Sequence, residues 1–210
     1  MSNFTFEGKK SKKQQKERIE WLRTWCVDTN DDTLPRVALI GDSITEQYSD
    51  FVAEALKGVA IVDRLTTSYS ITSPFYKSAV EGFLQDSQYA VIHYNYGLHA
   101  YCVTDDEYEN AYRELLKTFL QHGKVIVTTT TTVLEKPDLL EESEPSKTVV
   151  RNRNERALKL AKEFSLPVDD LFAVCQTLPK EGKSPDGIHF LELGCKALAA
   201  SVTDNLKKLL

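Results

Sequence analysis

Apolar residues fall along this chain in five short runs, separated by stretches with helical spacing. The runs are VALIG (37–41), VAIVD (59–63), QYAVIHYN (88–95), KVIVTTTTTV (124–133) and SLPVD (165–169); they are rich in β-branched and aromatic residues and read as strands. After the first comes SDFVAEALKG, with apolar residues at helical intervals and a glycine where a helix ends. A second helix opens at Thr104, where TDDE sets Glu107 three residues on as a capping box, and closes at Gly123. The last runs from about Phe190 to Leu210, its final lysines suited to the negative end of the helix dipole. Near the amino terminus, Ile19, Leu22 and Cys26, flanked by Trp21 and Trp25, predict an amphipathic helix over 13–26, part of a helical extension at about 9–28. LEKPDLLEESEPSK (134–147) is acidic and turn-rich and reads as a surface loop long enough to border a site. Strands alternating with helices imply a five-stranded, mainly parallel sheet with helices on both faces, which binds ligands at the carboxyl ends of its strands.

Composition narrows the class. The 210 residues suit a single domain spanning 1–210. Lys plus Arg is 26 against Asp plus Glu 31, a net charge of −5 that argues against nucleic acid as a partner, and the basic stretch KKSKKQQK reads as a solvated helix start. No run approaches eighteen apolar residues and MSNFTFEGKKSKKQQKE lacks a secretory apolar stretch, so no membrane partner and a cytoplasmic location are expected. Cys26, Cys102, Cys175 and Cys195 are too scattered for a disulfide framework and read as reduced core filler. Nothing in the pattern fixes an oligomeric state.

Candidate chemistry lies at both ends of the chain. Residues 41–43 are Gly, Asp and Ser at the end of the first parallel run. Gly41 permits a sharp turn, and Ser43 at the start of a helix stands among free N–H groups that would stabilise an anionic tetrahedral intermediate; an ordinary helix cap is the alternative. SPDGIHF (184–190) places Asp186 three residues before His189, so a carboxylate can orient an imidazole whose other nitrogen faces Ser43. Asp42 braces the turn by accepting backbone N–H bonds. Tyr48 reads as a residue of the pocket rim or of the core, His99 as a substrate contact beside the 95–99 turn, and His93 as a packed core histidine. No spacing gathers a metal site.

Together GDSI, the polar turn after the second strand, the Asn-containing turn after the third and DGIHF before the last helix resemble the SGNH hydrolases, the GDSL-type esterases and lipases, over nearly the whole chain. The resemblance extends to NRNERALKLAKEFSLPVDDLF and FLELGCKALAASV, which look like that family's penultimate helix, fifth strand and last helix. It implies a three-layer α/β/α sandwich of flavodoxin-like character and hydrolysis of acyl esters without a metal or other cofactor. By position, Ser43 is the implied nucleophile, His189 the base and Asp186 its orienting partner. The implied oxyanion hole takes backbone N–H groups of Ser43 and Ser68, the latter where the family usually has glycine in the second block. Its third donor departs from the family pattern, because the third block reads Asn95, Tyr96, Gly97, Leu98, His99 and a gapless alignment puts Gly97 at the usual asparagine. The Asn95 amide is the expected donor, with the Gly97 backbone as the alternative. Asp42, Tyr48 and His99 are the expected substrate neighbours. The expected activity is a serine esterase removing short acyl groups, acetyl among them, from a carbohydrate or other small polar compound. Thioesterase or acyltransferase chemistry on the same residues, and a binding module that has lost turnover, are the other readings.

Overall fold

The computed structural model describes residues 16–101 and 103–210. All five expected runs are strands: β2 (Arg36–Gly41), β3 (Ile61–Thr67), β4 (Tyr89–Asn95), β5 (Lys124–Thr128) and β8 (Val168–Asp169), preceded by β1 (Leu22–Trp25). The helices are α1 (Ser43–Ala55), α2 (Pro74–Asp86), α3 (Asp105–Phe119), α4 (Arg151–Glu163), α5 (Leu171–Gln176) and α6 (Glu192–Lys207), and a small hairpin joins β6 (Leu134–Lys136) to β7 (Glu141–Glu142). None of the described helices is long and apolar enough to cross a membrane.

The main sheet has the order β1-β3-β2-β4-β5-β8. Its five parallel strands, counted along the chain, therefore run 2-1-3-4-5, the flavodoxin-like arrangement, and the order reverses at β2 and β4. Both faces are covered. On β2, Ala38 and Ile40 enter a core shared with α2, α3 and α4, whereas Val37 and Leu39 enter a second core under α1, α5 and α6. A strand buried on both faces must be apolar throughout, which is why VALIG shows no alternation.

The sheet has a sixth strand. Where an amino-terminal helix is expected, Leu22–Trp25 instead pairs antiparallel with β3, Leu22 opposite Thr67 and Trp25 opposite Arg64. Leu22 and Cys26 are four apart, a spacing that keeps two residues on one face of a helix and of a strand alike, so the pattern that predicts a helix serves an edge strand equally. The part of the expected helical extension before residue 16 lies outside the described residues. Just beyond β1, the buried Arg36–Asp63 ion pair (2.9 Å) holds the chain: Asp63 accepts from Val27 N–H at 3.2 Å and Arg36 donates to the Val27 carbonyl at 3.0 Å.

Two further expectations change. The threonine run leaves the sheet after Thr128, and Thr130 is held by Asn154, whose side chain accepts from its N–H (2.8 Å) and donates to its carbonyl (2.9 Å). The 134–147 segment is not an open loop, since β6 and β7 pair within it and Leu134 N–H donates to the Gly187 carbonyl at 2.7 Å. The Thr104–Glu107 capping box is present, with both reciprocal bonds formed.

Candidate active site

Gly41 ends β2 because nothing larger fits. A Cβ there would lie 2.5 Å from the Asn95 carbonyl oxygen and closer still to Thr45 Oγ1. Its φ is not in the left-handed region, so the glycine answers close approach of β4 and α1 rather than a special turn. Asp42 then caps α1, accepting from Ile44 N–H at 3.0 Å, and Ser43 opens the first turn. Ser43 is half-buried, and its Oγ lies 2.9 Å from His189 Nε2.

The other half comes from the turn before α6. Asp186 Oδ1 accepts from Ile188 and His189 N–H, both at 2.9 Å, while Oδ2 lies 2.6 Å from His189 Nδ1. An ionised carboxylate only accepts, so Nδ1 carries the proton and the Nε2 lone pair faces Ser43. Burial pushes the Asp186 carboxyl up, yet the bonds from the His189 ring and the two amides outweigh it and hold the group below its ordinary value. Gly187, at φ +78°, makes the turn possible, and any Cβ there would strike the Leu134 carbonyl.

Gln47 joins the two halves. One turn along α1 from Ser43, its amide accepts from Phe190 N–H (3.2 Å) and donates to the Phe190 carbonyl (3.4 Å), docking the residue after His189 onto the helix that opens at Ser43. The sequence signal is the i+4 spacing, which sets Gln47 on the Ser43 face.

The remaining expected site residues separate into distinct environments. The Ser68 N–H, read as an oxyanion donor, is taken: it donates to the Trp21 carbonyl at 3.0 Å, because the segment leading into β1 continues the antiparallel pairing past the end of β3. Asn95 is fully buried; its amide lies beside the Tyr48 hydroxyl and closes no well-formed hydrogen bond among the described residues. Tyr48 is a core residue rather than part of a rim, with its hydroxyl 3.1 Å from Thr45 Oγ1 and its ring edge-on to His93. Asp42 is likewise fully buried and offers no surface to a substrate. The Gly97 and Ser43 N–H groups have no acceptor among the described residues.

His99 belongs to a buried polar assembly. Glu17 places both carboxylate oxygens 3.0 Å from His99 Nδ1 and accepts from Ala100 N–H at 3.1 Å, while Nε2 has no hydrogen-bond partner among the described residues. Burial would lower the imidazole pKa, but Glu17 outweighs it and the net shift is upward. Beneath, Arg153 donates to the carbonyls of Gly97 (2.8 Å), His99 and Ala100 (2.5 Å), fixing the turn after β4. The spacing of Arg153, Ala157, Leu160 and Ala161 marks an arginine on the buried stripe of α4, a signal legible in the sequence. His93 is a core histidine, 2.9 Å from Asp169 Oδ2 and 3.0 Å from Thr128 Oγ1.

No family model matches the chain, and no curated protein does by sequence. Solved structures do match. An acetylxylan esterase from Geobacillus stearothermophilus superposes with a TM-score of 0.67 at 16% identity, over 82% of this chain and 94% of that one. A protein described as an acylhydrolase from Bacteroides fragilis gives 0.63 at 19% identity over 85% and 89%, and one described as a GDSL-like lipase from Parabacteroides merdae gives 0.61 at 16% over 81% and 94%. The chain has the fold of these ester hydrolases. That is the three-layer α/β/α arrangement implied by the resemblance to the SGNH hydrolases, with the antiparallel β1 added at its edge.

Proposed function

We propose that the protein is a serine esterase that hydrolyses short-chain acyl esters, acetyl esters among them, of a carbohydrate or other small polar compound. The observation that carries the reading is the continuous chain Asp186 Oδ2, His189 Nδ1 and Nε2, Ser43 Oγ, at 2.6 and 2.9 Å. In this reading Ser43 Oγ attacks the ester carbonyl while His189 Nε2 takes its proton, Asp186 holding the ring in the required tautomer. The Ser43 and Gly97 N–H groups receive the oxyanion, and the Asn95 amide, fully buried beside Tyr48, takes no part in it. His189 returns the proton to the departing alcohol, and a water deprotonated by the same nitrogen releases the acid. The acetylated polysaccharide named for the Geobacillus relative supports the choice of a short acyl group on a sugar.

The test is a fluorophosphonate probe together with p-nitrophenyl esters of increasing chain length. Mass spectrometry is expected to find the probe on Ser43, rates to be highest from acetyl to butyryl, and Ser43→Ala and His189→Ala to lose activity about equally, because such residues act as a unit. Folded protein that stays unlabelled would refute the reading. Asn95→Ala is expected to cost less than about fivefold in kcat; a loss of about 10²–10³ would return the oxyanion role to that amide.

A further inference from the structure

Behind the turn that carries Asp186 and His189 lies a cavity of about 200 Å³, outside the site described above. Leu134, Leu140 and Leu178 supply apolar walls, and Thr132, Gln176 and Lys183 supply polar groups. Lys183 is only 6% exposed. Its amine sits over the Phe190 ring at 4.6 Å, against the Cys175 thiol, and donates one long bond to Thr132 Oγ1 at 3.4 Å. Among the described residues no carboxylate comes within ion-pair distance of it. Glu142 also lines the cavity, but its two oxygens are held by Arg151 at 2.8 and 2.9 Å. Burial accordingly pushes the Lys183 amine below its ordinary pKa.

An ammonium with three donors, enclosed and without an anion, is costly unless something pairs with it. We infer that this cavity is a binding site for a short-chain monocarboxylate whose carboxylate pairs with Lys183 and whose alkyl chain lies against Leu134, Leu140 and Leu178. One cation matches one negative charge, and the apolar walls disfavour a phosphate, which would need several donors. The volume is below the roughly 300–1,000 Å³ of pockets for drug-sized ligands, which limits the chain to a few carbons. The site is independent of the esterase reading, although Lys183 and Leu134 border the Asp186–His189 turn through the Lys183–Phe190 bridge and the Leu134–Gly187 bond.

The experiment is a titration of the Ser43→Ala protein with sodium butyrate, followed by NMR of the Lys183 Cε and the Leu140 and Leu178 methyl groups. Butan-1-ol and sodium chloride at equal concentration serve as controls. The expected result is a saturable shift of all three residues with one midpoint, absent in both controls, and an affinity at least tenfold weaker in Lys183→Met. No saturable shift, the same shift with butanol, or unchanged affinity in a folded Lys183→Met protein would overturn the site. Should that variant not fold, the titration still decides: perturbation at His189 without movement at Lys183 would place butyrate at the Ser43 site and refute the inference.

Discussion

Gly41 and Gln47 show how much of the site rests on residues that perform no chemistry. Gly41→Ala puts a methyl group against both Thr45 Oγ1 and the Asn95 carbonyl. Such overpacking typically costs about 1–3 kcal/mol, and more where backbone must move. Adding Thr45→Ala removes only the side-chain half of the clash, so the double variant is expected to recover little stability in denaturant melts. Gln47→Leu keeps the volume and removes both bonds to Phe190. It is expected to lower kcat about 10- to 100-fold with little change in KM, because a misplaced base costs rate before it costs binding, while circular dichroism stays unchanged. At this scale the sequence was legible where the signal was local: Ser43, Asp186 and His189 each sit in a short motif that the fold then joins. The partners of Gln47 and Glu17 lie 143 and 82 residues away along the chain, contacts that no local motif announces.

Among the elements, the central parallel strands β2, β4 and β5 were readable because burial on both faces demands largely apolar runs, and β1 was not, because its spacing satisfies two periods at once. The hairpin of β6 and β7 is illegible for another reason: its strands are only three and two residues long, and one of the bonds that seat it comes from Gly187, far along the chain. The segment from Glu17 to Trp25 behaves as one strap across the ends of β3 and β4, tied by Glu17 to His99 and Ala100 and by Trp21 to Ser68. Its hold depends on pH. Around His99 stand Glu17 and Asp42, which favour the imidazolium, and Arg153, which opposes it. Because the folded pKa is raised, the stabilisation is complete below the ordinary histidine value and is lost as pH climbs through the raised one. Hydrogen-exchange protection of the Ala100 amide, corrected for intrinsic rates, is expected to fall across that interval in the native chain and to be low and flat in Glu17→Gln.

For the molecule as a whole, acid is the expected weakness. Glu109, gripped by Lys159, Arg113 and Arg156, is held down to about 2, and Asp186 lies below its ordinary value. Both bind protons more readily when unfolded, so their stabilisation is present above the ordinary carboxylate range and fades as pH falls through the lowered folded values. Asp42 has the opposite sign, since burial raises its pKa. Unfolding free energy is expected to drop between about pH 4.5 and 2, with a shallower drop in Glu109→Gln. Ser43 and His189 are separated by 146 positions in the chain, and they meet only when α6 has docked on α1. The site therefore cannot form before that docking. During synthesis Ser43 cannot meet His189 until α6 is available, and after dilution from denaturant the onset of the proposed ester hydrolysis is expected to lag behind the recovery of helix and sheet signals, which makes that onset a clock for the α1–α6 docking.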